Sequence, residues 1–322
     1  MASSANPIRS RSRHGGEKTA LNQLVKWGLS DTKDGLVDIG ANISSLNDAL
    51  LATQLRRSWA AGVRRIIVTG TSVRKSKWAE ALCRERAEKA MHSSLPAEGR
   101  PGLFFTAGVH PHEVKNSDKD TILDIRRLAA SPYCVAIGEC GLDYDRMFSP
   151  REQQLEWFDK QVELASELKM PLFLHERDRG RGSPLGSDKD CLRILSKHGI
   201  DPKLAVFHCF TGSRSVAQEY IKEGYWIGLT GAVAVANAVA ELLQLTPEEV
   251  AEQTTKNALQ VFRKIALLEN EEVDKEHSSD EEGFWDTLSP HDWCRIPYGA
   301  RKVQHSSGQH GYKAQPKEPV RK

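Results

Sequence analysis

Histidines and carboxylates recur where short apolar runs end. The strings are Gly108-Val109-His110-Pro111-His112, Gly138-Glu139-Cys140-Gly141-Leu142-Asp143, Leu174-His175 and Phe207-His208-Cys209-Phe210-Thr211-Gly212. An ionised carboxylate such as Glu139 is costly at the end of a buried strand unless a cation compensates it, and a divalent ion does so directly. A carboxylate can also bridge two ions, while neutral imidazoles from His175 and His208 supply a ligand to each. Two ions about 3.5–4 Å apart suit phosphodiester hydrolysis, since one activates water and the other stabilises the leaving oxygen. Asp143 either acts as a base or orients a ligand and caps a turn. Arg177 either clamps a phosphate or pairs with Asp178. Thr211-Gly212 either offers backbone N–H groups to a phosphate or opens an ordinary helix. Cys140 and Cys209 neighbour the expected ligands, but adjacent positions on a strand point oppositely, so both read as small core residues.

The apolar runs must position these side chains. Residues 36–40, 65–69, 104–109, 135–139, 171–175, 205–209 and 226–230 read as seven strands alternating with helical patterns. Continuous apolar strands covered by helices on both faces form parallel sheets, and a ring of parallel strands gathers its carboxyl ends at one mouth. Ser149-Pro150-Arg151-Glu152 predicts a capping box, followed by one apolar stripe of Leu155, Phe158, Val162, Ala165 and Leu168. Thr246-Pro247-Glu248-Glu249 predicts a second such start.

At 322 residues and 39% hydrophobic content the chain can bury a barrel-sized core. Its net charge of +2 argues against a generally basic nucleic-acid coat, so a polyanion must be recognised locally. The six cysteines form no C-x-x-C pair, which excludes a disulfide framework or zinc ribbon and fits a reducing compartment, cytoplasm or nucleus. No stretch has the length of a membrane span, and no membrane association or stable protein partner is expected. Residues 1–34 are expected to be a disordered N-terminal segment; Arg9, Arg11 and Arg13 with serines give organelle targeting as the alternative. Residues 35–266 form the expected barrel domain. Residues 267–322 are expected to be a disordered charged tail, acidic at 269–282 and basic after 295, in which Phe284-Trp285-Asp286 and His291-Asp292-Trp293 could form a docking peptide.

Taken in order, the motifs resemble those of the TatD family of metal-dependent deoxyribonucleases. They are Asp38-Ile39-Gly40-Ala41-Asn42, Ile67-Val68-Thr69-Gly70-Thr71, Ala107-Gly108-Val109-His110-Pro111-His112, Ala136-Ile137-Gly138-Glu139-Cys140-Gly141-Leu142-Asp143-Tyr144, Met170-Pro171-Leu172-Phe173-Leu174-His175, His208-Cys209-Phe210-Thr211-Gly212 and Thr255-Lys256-Asn257-Ala258. The resemblance implies an amidohydrolase-like TIM-type (β/α) barrel that hydrolyses DNA, in many members as a 3′-to-5′ exonuclease, with Mg2+ or another divalent ion such as Zn2+ or Mn2+. Carried over by position, it implies Glu139, His175 and His208 as metal ligands and His110 and His112 near the scissile phosphate.

Two departures from the family pattern matter. Many relatives open with Asp-x-His-x-His, whereas the Asp38-to-Asn42 string is the form of the subgroup nearest TatD itself. Relatives also carry an eighth strand ending in Glu-Thr-Asp-Ala-Pro-Tyr with a further metal-binding aspartate. Here Leu229-Thr230-Gly231-Ala232-Val233 runs almost directly into the terminal helices, so an incomplete barrel and strongly reduced activity are expected. A nuclease is the leading reading. A small-molecule metal hydrolase of the same superfamily and a non-catalytic interaction protein are the alternatives.

Overall fold

The computed structural model describes residues 35–91, 101–178, 184–230 and 232–265. The N-terminal segment 1–34 and the charged tail 267–322, with its two aromatic strings, lie outside the described residues.

Seven strands pair side by side in chain order, all parallel: β1 (Leu36–Ala41), β2 (Val63–Val68), β3 (Gly102–Ala107), β4 (Cys134–Asp143), β5 (Leu172–Arg177), β6 (Ala205–Phe207) and β7 (Trp226–Ile227). Parallel neighbours need a crossover between them, and helices supply it. These are α1 (Asp48–Ala60), α2 (Val73–Met91), α3 (Thr121–Ala129), α4 (Arg151–Leu168), α5 (Ser187–Lys197) and α6 (Arg214–Glu223). Two further helices, α7 (Ala232–Leu243) and α8 (Pro247–Val261), follow β7. The described residues contain no eighth strand, so the TIM-type barrel is incomplete, as expected. No described helix is long and apolar enough to cross a membrane.

The sheet is curled. Ile39, Ile67, Phe104, Val135, Phe173, Val206 and Trp226, one from each strand, meet in a single apolar cluster on its inner face. Val261, Phe262 and Ile265 at the end of α8 join that cluster. A larger core, including Leu55, Phe105, Ile125, Leu142, Phe158, Leu174 and Tyr220, packs the outer face against the helices. Alternation along each strand divides apolar residues between these two cores.

Three local expectations need correction. Thr246 does form a capping box with Glu249, but Ser149 does not begin α4: Pro150 is the cap residue, and the Ser149 hydroxyl accepts from the Lys115 N–H at 3.4 Å instead. The buried face of α4 is wider than the expected stripe: Leu155, Phe158, Val162, Ala165 and Leu168 all pack on the core, and Gln154, Trp157, Gln161 and Leu164 are buried beside them. Cys140 is a buried core residue, as expected, but Cys209 is only half-buried, adopts φ 51°, and lies against the Thr230 hydroxyl.

Candidate metal and phosphate site

β4 carries the site's two carboxylates because its ladder to β5 continues well past the apolar run that announces it. A register shift between Gly138 and Cys140 inserts Glu139 as an extra residue, and pairing then resumes from Cys140 to Asp143. Such bulges re-aim a side chain at a sheet rim. Gly141 makes the resumed pairing feasible: at φ 141° a β-carbon there would lie 1.9 Å from the His175 carbonyl oxygen.

Glu139 is buried, with three imidazoles around one of its oxygens. His208 Nε2 lies 2.6 Å from Oε1, His175 Nδ1 lies 3.2 Å away and His110 Nε2 lies 3.3 Å away. Burial pushes the Glu139 carboxyl up, but these contacts outweigh it and hold the group well below the usual carboxylate range. His208 follows β6 directly. Its N–H donates to the Leu174 carbonyl at 2.9 Å, and its ring stacks on Phe173 at 4.3 Å between centroids. Glu139, His175 and His208 together place three donor atoms within 4.8 Å of one another, a set that fits a divalent ion.

Asp143 forms the second centre. Its Oδ2 lies 2.7 Å from His112 Nε2 and 3.2 Å from His175 Nε2, and its Oδ1 accepts the N–H groups of Asp145 and Arg146 at 3.1 and 2.8 Å. It therefore both orients rings and shapes a turn. His175 spans the two centres, with each ring nitrogen facing a carboxylate. Burial disfavours its charged form, but the bonds to Asp143 and Glu139 outweigh that and raise its pKa.

His110 and His112 sit on the loop after β3, which ends earlier than the apolar run implied. The His112 N–H donates to His110 Nδ1 at 3.1 Å. A backbone N–H can only donate, so the ring proton of His110 is on Nε2, the nitrogen that faces Glu139. Burial leads the effects that lower the pKa of this ring, favouring the neutral form. His110, His112 and His175 form a second cluster of nitrogens within the same spacing.

Arg177 faces Asp143 rather than its sequence neighbour Asp178. Its guanidinium lies 3.8 Å from Asp143, while Asp178 instead accepts the N–H groups of Leu185, Gly186 and Ser187 ahead of α5. Thr211 and Gly212 are exposed, and the cap of α6 is the next residue, Ser213, whose side chain accepts from the Val216 N–H.

Two buried glutamines escaped the sequence reading. Gln154 accepts the Asp143 N–H at 2.8 Å and donates to the Asp143 and Ser149 carbonyls at 3.1 and 2.8 Å. Two helical turns on, Gln161 accepts the Val109 N–H at 2.7 Å and donates back to the Val109 carbonyl at 3.1 Å. Thus α4 fixes the backbone at Asp143 and at Val109, just ahead of His110. A pair of glutamines seven residues apart inside an apolar helical stripe was the available signal.

Comparison with known proteins agrees with this architecture. Residues 37–238 match the family model described as TatD related DNase. A protein of Erwinia amylovora named 3′-5′ ssDNA/RNA exonuclease TatD is 37% identical over 213 residues, covering 66% of this chain and 74% of that protein. The protein of the same name from Citrobacter rodentium is 38% identical over 227 residues, with the same two coverages. Among solved structures, a hydrolase TatD family protein from Entamoeba histolytica superposes with a TM-score of 0.59 at 19% identity, covering 71% of this chain and 98% of that one. A TatD homologue from Escherichia coli superposes with a TM-score of 0.58 at 20% identity and the same coverages. These two structures speak to the fold.

Proposed function

The chain belongs to the TatD-related DNase family, and on that premise we propose that it hydrolyses phosphodiester bonds of DNA, removing nucleotides from the 3′ end with the help of a divalent ion. The observation that carries this reading is the convergence of Glu139 of β4, His175 of β5 and His208 just after β6 on one point. We assign the hydrolase domain to residues 35–266, with the segments on either side outside it.

Glu139, His175 and His208 would hold the ion. One carboxylate oxygen and two imidazole nitrogens would suit Mg2+, Mn2+ or Zn2+, with Mg2+ the proposed resident and a second ion the proposed companion. When bound, the ion supplies Lewis-acid stabilisation of phosphoryl charge and an acidified water.

The protein's own groups do the rest. Asp143 accepts from His175 Nε2 and so leaves Nδ1, on the Glu139 side, as the donor nitrogen. His110 presents a neutral Nε2–H, suited to donate to a phosphoryl oxygen. His112 is held by Asp143 at the same mouth. Arg177, partly exposed and balanced by Asp143, is assigned to a substrate phosphate, as are Thr211 and Gly212 just beyond His208. The reading also assigns this chain lower activity than relatives with an eighth strand, because no further aspartate joins the site among the described residues.

The test is digestion of single-stranded DNA labelled at its 5′ end, with Mg2+ or with chelator. A ladder of shortened labelled products that needs the ion supports the proposal; intact DNA at high enzyme concentration overturns it. The seven-stranded ladder favours one second reading, a non-catalytic interaction protein. That reading predicts intact DNA and no thermal stabilisation by the ion.

A further inference from the structure

Phe148 occupies the lip of the site with 53% of its surface exposed. Its neighbour Met147 is 39% exposed, so the turn between β4 and α4 presents a small apolar surface to solvent. Single exposed apolar residues are common and need no explanation. This one differs in what surrounds it and in how firmly it is held.

The Phe148 ring stands nearly perpendicular to the His112 ring, 4.7 Å between centroids, and His112 contacts Asp143. The aromatic face therefore begins where the candidate catalytic cluster ends. Its backbone is pinned from both sides. Lys115 donates its ammonium to the Phe148 carbonyl at 3.0 Å, and Gln154 donates to the Ser149 carbonyl at 2.8 Å. At the start of the same turn, Asp143 accepts the N–H groups of Asp145 and Arg146. One carboxylate thus orients two site imidazoles and shapes the turn that displays Phe148. Lys115 also lines a hollow of about 360 Å3 with Lys119 and Lys160, together with Asp118 and Glu156, of which Glu156 pairs with Lys160.

An exposed, backbone-anchored aromatic beside the candidate catalytic cluster is one part of the arrangement by which single strands are held, in which bases stack on the ring. We propose that Phe148 is the stacking platform for an unpaired base of the substrate strand, so that this residue makes the site select single-stranded over paired nucleic acid without reading sequence. The proposal rests on the nuclease reading above. Inside a duplex both faces of a base are covered by its stacked neighbours, so such a base must leave the stack before Phe148 can engage it.

The experiment is equilibrium binding by fluorescence anisotropy on the full chain in chelator, so that no hydrolysis intervenes. The probes are a labelled oligothymidylate and the same strand with abasic residues at its 3′ end. Wild-type protein is expected to bind the base-bearing strand about 5- to 100-fold tighter than the abasic one. Phe148→Ala is expected to abolish that ratio by weakening only the base-bearing strand, while Phe148→Trp retains it. A Phe148→Ala protein with the wild-type ratio overturns the inference, as does equal weakening of both strands. Wild-type protein that binds neither strand overturns the nuclease reading along with it, whereas equal binding of both strands by wild type overturns this inference alone.

Discussion

Gln154 grips both backbone polar groups of Asp143, accepting from its N–H at 2.8 Å and donating to its carbonyl at 3.1 Å. The amide is fully buried, so neither group of Asp143 has water to fall back on. Replacing Gln154 with Leu keeps the bulk and strands both groups. The expected cost is about 1–3 kcal/mol of stability, seen as a lower denaturation midpoint at unchanged slope. Because Asp143 orients His112 and His175, DNA hydrolysis should fall further than the folded fraction does. Wild-type stability in Gln154→Leu would remove this positioning role.

His175 gives the pH dependence a definite sign. Its pKa is raised in the metal-free protein by Asp143 and Glu139 acting against burial, so the stability it contributes is present below about pH 6.5 and is lost as pH rises through the folded-state value. An ion needs the Nδ1 lone pair and therefore displaces that proton. The metal-free melting temperature is expected to decline between about pH 6 and 8 while the increment from Mg2+ or Mn2+ grows, which differential scanning fluorimetry can follow. An increment that shrinks as pH rises contradicts the assignment.

Gly141 is expected to tolerate no side chain. A β-carbon at φ 141° would sit 1.9 Å from the His175 carbonyl, inside the ladder that carries both Asp143 and His175. Gly141→Ala should cost upward of about 4 kcal/mol, enough to remove most of a typical domain's stability, and should lower soluble yield sharply. A Gly141→Ala protein melting like wild type would show that the ladder after the bulge is not formed as described.

Much of this was legible from the chain alone, and the exceptions share a cause. Apolar runs ending in Glu139, His175 and His208 announce strands, because a parallel strand covered on both faces has little room for polar residues before its end. What the runs hide is register. β4 continues to Asp143 only because a bulge at Glu139 lets it keep pairing with β5, and that register sets Asp143 opposite Arg177 rather than leaving the arginine to its sequence neighbour Asp178. Ser149 has the composition of a cap, yet the loop carrying Lys115 claims its hydroxyl. Gln154 and Gln161 take their partners from the backbone at Asp143 and Val109, which lie across a turn or far from them in the sequence. Each miss is a long-range contact overriding a local pattern.

In the proposed function, Glu139, His175 and His208 act together as one metal-binding unit. Isothermal titration of Mn2+ into wild-type protein and into Glu139→Gln, with circular dichroism to confirm that both are folded, addresses it most directly. Wild-type protein is expected to bind the ion saturably, with protons released on binding, and Glu139→Gln to lose at least about tenfold in affinity. Equal affinity of the two folded proteins for the ion would contradict it.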